Sequence, residues 1–470
     1  MKNLRFIVTF LAFVLLFGAI VGTFVFAVDP LQLYRKASYP PLFSREQRYQ
    51  NPGLAKNYDY NMVIIGSSMT ENFLPTEVGK KLGGDVLKLS TEGSTAKEQR
   101  MMADLAVGTG QVKKILWGLD YFSLRENSVR DEASFPFYLY DDNLLNDYKY
   151  IFNISNVKHA FGALFLPKDK KPQYRNLETL NNWSSMNYYG AKRVMAKWKE
   201  AWLAEQTSGE SEPSLDLVKQ RFQENILSLV KAHPEIEFIF YYPPYSVIRQ
   251  QVWYSLNPQR FANQQEMKIY MYEQLSAFDN VSIHDFQSDS KITYDLTKYK
   301  DLSHHSGSIN QRIVDEIAAG THKVTASNLE QINQDLEQQV KTLVINENGP
   351  IFSLTLTVNG QPATFSQVPT TSKDQVRVPL KEFAQGIGAE FDYDTGTKKA
   401  TLVKGGNELV FSVGDPIASL NGQAVDLKAP AVIVKERLVG PVKQITELLG
   451  GQVTETETDG PYFLNYDLSF

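Results

Sequence analysis

The chain has 470 residues, 43% hydrophobic and 21% charged, with a formal charge of −5 and a mean hydropathy of −0.30. That length accommodates two or three domains with full cores. The composition excludes a polytopic transporter and wholesale disorder, and the acidic balance argues against nucleic acid as a partner. With no cysteine, disulfides, thiolate metal sites, iron–sulfur clusters and cysteine nucleophiles are all excluded.

Phe6 to Val28 carries no charge, and at about 1.5 Å per residue a helix of this run spans roughly 34 Å, enough to cross a bilayer. Lys2 and Arg5 precede it, so the positive-inside bias predicts a cytoplasmic N-terminus (residues 1–5) and an extracytoplasmic bulk. The alternative is a signal peptide cleaved after Ala27, but the apolar run exceeds the roughly 7–15 residues of a signal core. Residues 29–59, rich in Pro and Tyr without periodicity, read as a stalk and lead-in loop.

Strands and helices then alternate. Short apolar runs at Tyr60–Ile65, Val86–Leu89, Val112–Gly118, Ile236–Tyr242 and Val281–His284 predict strands. Helical spacing appears at Ala96–Ala106, Leu215–Ala232, Asn263–Ala277 and Ser308–Ala319. The fold class expected for residues 60–322 is therefore α/β, a three-layer parallel sheet with helices on both faces. An interruption at about 125–214, with Tyr-, Asn- and Trp-rich segments, reads as a mostly helical insertion over the sheet's carboxyl edge, either a lid or structural padding. Asn328–Val344 predicts an amphipathic helix within a connector over 323–350.

From residue 351 the chain repeats itself. VNGQPA at Val358–Ala363 returns as LNGQAV at Leu420–Val425, and the segment Arg377–Phe391 returns at Leu438–Val453. The pairs Asn359/Asn421, Pro379/Pro441 and Gly388/Gly450 share an offset of 62 positions, which predicts a small α+β domain of two copies, each a hairpin plus one helix. These residues resemble the N-terminal domain of copper amine oxidases, found as an appendage on exported bacterial proteins. The name does not bring copper chemistry with it, because residues 351–470 contain no His, Met or Cys.

The chemical signal lies in two segments. Ile64-Ile65-Gly66-Ser67-Ser68-Met69 runs a buried strand into a small-residue turn, which places a serine at the carboxyl edge of the sheet. Asp301-Leu302-Ser303-His304-His305 precedes the last helix of the domain and supplies a carboxylate and an imidazole three residues apart. A serine nucleophile needs such a base, and the base needs a carboxylate to fix its tautomer. A tight turn and a helix-capping histidine are the plain structural alternatives. His284-Asp285, with the scattered His159, His233 and His322, forms no metal-ligand spacing. Tyr241-Tyr242-Pro243-Pro244-Tyr245 ends a strand at the same edge and either lines the cleft or packs.

The order Gly-x-Ser after the first strand and Asp-x-x-His before the final helix resembles the SGNH/GDSL hydrolase superfamily. The resemblance implies Ser68 as nucleophile, His304 as general base and then acid, and Asp301 as orienting carboxylate, with no cofactor and no metal. It further implies an oxyanion hole from the Ser68 N–H, Gly93 and the residue after the third strand. That residue is Asp120 here, where the family has asparagine, and an ionised carboxylate cannot donate to an oxyanion. The N-terminal span and the Gly-Ser-Ser block are similar to the branches that decorate teichoic acid and alginate. They imply a membrane-anchored serine esterase or O-acyltransferase on acyl or acetyl esters of a cell-surface polysaccharide. A catalytically inactive scaffold or wall-binding protein is the alternative that Asp120 favours.

Overall fold

The fold was examined in a computed structural model, which describes residues 2–167, 169–208, 212–345, 351–363, 365, 369–372, 375–434, 436–458 and 462–470. Helix α1 (Lys2–Val28) includes a stretch from Asn3 to Val28 that is long and apolar enough to cross a membrane. Its side chains from Phe6 to Phe17 lie exposed. The residues that follow are not a stalk. Asp29 is buried, and helix α2 (Gln47–Asn57) is buried along most of its length against the domain behind it. The expectation failed because Gln47, Gln50 and Asn51 hide their amides by hydrogen bonding, and polar burial of that kind leaves no hydrophobic period to read.

Five parallel strands form the sheet of the first domain. In chain order they are β1 (Met62–Ile65), β2 (Val86–Lys88), β3 (Lys114–Gly118), β4 (Glu237–Tyr242) and β5 (Val281–Asp285), and across the sheet they run β2-β1-β3-β4-β5. Helix α3 (Pro75–Leu82) joins β1 to β2, and α4 (Ala96–Gly108), opened by a Thr95/Glu98 capping box, joins β2 to β3. The strands are apolar on both sides because both sides are covered. Val63, Ile65, Trp117 and Phe240 pack with Met102 of α4 and Phe222, whereas Ile64, Leu116 and Tyr241 pack with Val78 of α3 and Ile313. The chain reverses direction across the sheet between β1 and β3. A crevice opens there at the carboxyl ends of the strands.

The insertion after β3 is helical only in part. It holds α5 (Tyr148–Ile151), α6 (Ile154–Phe165) and α7 (Ala191–Ser208), separated by single turns and extended chain. Next come α8 (Leu215–Phe222), a π-helical turn at Gln223–Leu227 and α9 (Ser228–Ala232), leading into β4. After β4 the chain forms α10 (Val247–Leu256), which sequence spacing did not reveal, and α11 (Pro258–Leu275), which starts earlier than expected because the Asn257 side chain caps it by accepting from Arg260 N–H. Then α12 (Ser290–Thr293) precedes α13 (Gly307–Ala318) and the amphipathic α14 (Leu329–Thr342), whose buried Leu336 and Val340 pack in one cluster with Val247 and Ile248 of α10.

The C-terminal region is β-rich, and its two copies face each other. Strands Gln375–Pro379 and Arg437–Pro441 pair antiparallel, and each runs into a helix, Leu380–Ile387 and Val442–Leu448 respectively. Asn359-Gly360 and Asn421-Gly422 all take positive φ in equivalent hairpin turns. That is the backbone twist which two-residue hairpins require.

Candidate active site

β1 delivers Ser68 to the crevice. Gly66 has φ +152°, and a Cβ there would come within 2.6 Å of Thr70 Cγ2, so only glycine permits the turn. Ser67 then caps the single 3-10 turn Ser68–Thr70 with its hydroxyl oxygen, accepting from Met69 N–H. Ser68 itself is half-buried, with its side chain toward the cleft.

His304 comes from the loop before α13. Its Nε2 lies 2.8 Å from Ser68 Oγ, and its Nδ1 lies 2.9 and 3.0 Å from the two oxygens of Asp301. The Asp301 carboxylate only accepts, so the imidazole proton sits on Nδ1, and Nε2 is left to accept from the serine. Asp301 Oδ1 also accepts from the backbone N–H of Ser303 and His304, both at 2.8 Å. Burial alone would raise the Asp301 pKa. The hydrogen bond and charge of His304, with those two backbone donors, outweigh burial and hold it well below the usual carboxylate range. The ring of Trp183, from the insertion, stands edge-on to His304 at 5.7 Å. Lys300 Nζ sits 3.8 Å above the centre of the same indole.

Gly93 (φ +56°) and Asp120 line the cleft with Ser68 and His304. Within the described residues no hydrogen bond uses the backbone N–H of Ser68 or Gly93. Asp120 stands at the edge of the cleft where the resemblance implies an oxyanion donor, and its oxygens are already engaged. Its carboxylate accepts from Ser67 Oγ at 3.0 Å, from Phe122 N–H at 3.1 Å and from the Tyr245 hydroxyl. Its oxygens are acceptors that tie three segments together. The physical reason is its surroundings: three donors converge on one buried carboxylate.

The cleft measures about 380 Å³ and is also lined by Arg125, Arg130, Arg249, Arg260 and Trp253. Sequence reading missed these arginines and Trp183. Arg125 and Arg130 follow Asp120 within ten residues, which was a usable signal, but Arg249 and Arg260 lie on helices with no motif to flag them. Elsewhere, His159 bonds to the Leu42 carbonyl and His233 to Glu235, while His284 and His322 lie near each other but bond to the Thr321 carbonyl and Asp289, and no group of three or more His, Asp or Glu among the described residues could hold a metal ion.

Comparison with known proteins gives one family assignment, for part of the chain. Residues 357–462 match the copper amine oxidase N-terminal domain. The repeat region thus carries that domain, and its lack of His and Met gives copper no nitrogen or sulfur ligand there. No curated protein matches the chain. Among solved structures, a Streptococcus pneumonia chain described as a "putative platelet activating factor" aligns at 12% identity over 58% of this chain and 90% of its own, with a TM-score of 0.31.

Proposed function

We propose that the chain is a membrane-anchored, extracytoplasmic serine esterase or O-acyltransferase acting on acyl or acetyl esters of a cell-surface polysaccharide, on a three-layer SGNH-like domain. The observation that carries this reading is the 2.8 Å approach of Ser68 Oγ to His304 Nε2, with Asp301 behind the ring. In the reaction, His304 Nε2 takes the Ser68 proton as Oγ bonds to the ester carbonyl carbon. The oxyanion is met by the unused N–H groups of Ser68 and Gly93. Collapse leaves an acyl-Ser68, and His304 returns the proton to the departing alkoxide. Water or a sugar hydroxyl, deprotonated by the same nitrogen, then takes the acyl group and restores the serine. The apolar α1 keeps this cleft near the outer membrane face, which favours membrane-proximal polymers over diffusible esters.

A fluorophosphonate probe on the detergent-solubilised full chain tests the proposal. Labelling of the wild type that disappears in Ser68→Ala is the expected result. No labelling of the wild type, or equal labelling of both, would leave the scaffold reading, which the acceptor role of Asp120 favours.

A further inference from the structure

The four arginines of the cleft fall into two pairs. Arg260 is neutralised by Glu205 (Nη1 to Oε1, 2.6 Å) and Glu212 (Nε to Oε2, 2.7 Å). Arg125 Nε lies 3.1 Å from the same Glu212 carboxylate, an ion-pair separation without hydrogen-bond alignment. Arg130 and Arg249 have no carboxylate within ion-pair distance among the described residues. Arg249 is half-buried on α10, stacks over Trp253 at 5.7 Å, and spends only Nε, on Ser303 Oγ at 3.2 Å. Burial holds its pKa below the usual arginine value. Arg130 reaches across from the loop after β3, over the ring of Phe122 at 5.3 Å. Its Nη1 is so close to Gly93 that a Cβ there would meet it at 2.7 Å. Of the acidic residues near the two arginines, Asp120 has its oxygens taken by Ser67, Phe122 and Tyr245. Asp301 and Glu205, whose charges reach Arg249 from beyond ion-pair distance, are engaged by His304 and Arg260, which leaves Glu92 as the unengaged carboxylate of the cleft among the described residues.

Arg249 is the desolvated one of the two and Arg130 the exposed one; a desolvated arginine without a paired counter-ion is costly unless a ligand supplies the charge, and a guanidinium fork on either matches an oxyanion in a bidentate way. We propose that Arg130 and Arg249 bind an anionic substituent, a carboxylate or phosphate, on the polymer or acyl donor that Ser68 attacks. This rests on the serine-enzyme reading for its second half only, because the anion site is a matter of binding. The cleft of about 380 Å³ then takes one charged sugar unit with its ester.

The test uses the full chain in detergent and three acetylated oligosaccharides: one with uronate carboxylates, one with phosphodiesters, and a neutral glucan. Binding is measured on Ser68→Ala, and turnover on the wild type, Arg249→Gln, Arg249→Lys and Arg130→Gln. The expected result is at least tenfold tighter binding of one anionic oligomer than of the glucan, weakening as salt rises. Arg249→Gln should raise KM for that oligomer about tenfold with little change in kcat, and Arg249→Lys should recover part of the loss. Equal binding of charged and neutral oligomers, or equal losses on both in the arginine variants, would overturn the proposal. Absence of fluorophosphonate labelling sinks the enzyme reading alone, since the Ser68→Ala binding comparison still decides the anion site. Which anionic oligomer prevails distinguishes carboxylate from phosphate.

A separate observation concerns the insertion. The outer end of α1 packs on α5 and α6: Phe24 meets Phe161 at 4.8 Å between ring centres, and a Cβ on Gly22 would lie 3.3 Å from Ile151. Ile154, Lys158, Phe161 and Phe165 follow at intervals of three and four along α6, and all four are exposed, Phe165 at 72%. We infer that this face lies in the lipid headgroup layer, continuing the apolar surface of α1, with Lys158 reaching to phosphates. The absence of cysteine makes single-site labelling direct. In proteoliposomes, a nitroxide on Phe165→Cys should be reached by oxygen more than by a water-soluble nickel complex, and one on Gln338→Cys the reverse. A label on Phe13→Cys reports independently whether α1 is in lipid. A Phe165 label as open to nickel as that at 338, with Phe13 in lipid, would overturn the inference.

Discussion

At residue scale, the site turns on how two carboxylates are used. Asp301 serves a ring nitrogen, and its removal leaves His304 free to adopt the wrong tautomer. Asp301→Asn should slow fluorophosphonate labelling of Ser68 by about 10³-fold or more, with some loss of melting temperature at neutral pH because the stabilised carboxylate is lost. Asp120 serves two hydroxyls and an amide. Asp120→Asn restores the residue that the SGNH resemblance implies, yet it should lower stability by about 1–3 kcal/mol, because the amide nitrogen would face a buried donor. Urea unfolding measures the cost. A faster-labelling Asp120→Asn of unchanged stability would show that the carboxylate stands in for a lost oxyanion donor. Ser68, His304 and Asp301 were legible because each belongs to a short local pattern beside a strand or helix end. The arginines and Trp183 were not, since their neighbours are brought by tertiary contact alone.

At the scale of elements, the loop between β5 and α13 carries more than the triad. His305 is buried, with Nε2 unpaired, and burial pushes its pKa down to about 4. Between that value and the usual 6.5 the unfolded chain binds a proton that the folded one does not, so stability is lost as pH falls through this window, by at most roughly 3 kcal/mol. Glu71, buried under the Gln47 amide, is pushed up to about 7 and has the opposite sign: its stabilising share is present below about 4.5 and lost as pH rises toward 7. The two partly cancel in wild type. His305→Gln removes one of them, so its melting temperature relative to wild type should improve as pH falls from 7 to 4.5, followed by thermal denaturation at several pH values. A constant difference would show that His305 does not titrate in this way. Strands and most helices of this domain were readable within a few residues, because buried parallel strands are continuous apolar runs. Helix α10 was not, because Ser246 and the Tyr-Pro run before it read as loop and its buried face includes Gln250 and Gln251.

At the scale of the whole molecule, α1 and the folded domain are one object. Val25 is fully buried with Leu31, Leu139 and Tyr150, and Arg35 donates to the carbonyl of Ala27. A peptidase acting after Ala27 would cut inside this packing. Intact mass of the membrane-extracted chain should therefore include residues 1–27, and a mature protein starting at Val28 would refute the anchor. The sequence suggested a tether here and missed the packing, because the groups that fasten it are polar.

Asp29 is the fastener. Its buried carboxylate accepts from the N–H groups of Leu33, Tyr34 and Arg35 and from the Tyr150 hydroxyl, which knots the end of α1 to the insertion. A helix joined by slack chain would let the folded domain sweep a hemisphere. Joined by this knot, the folded domain keeps a fixed heading relative to α1, so on the proposed function a polymer would have to be drawn past the cleft.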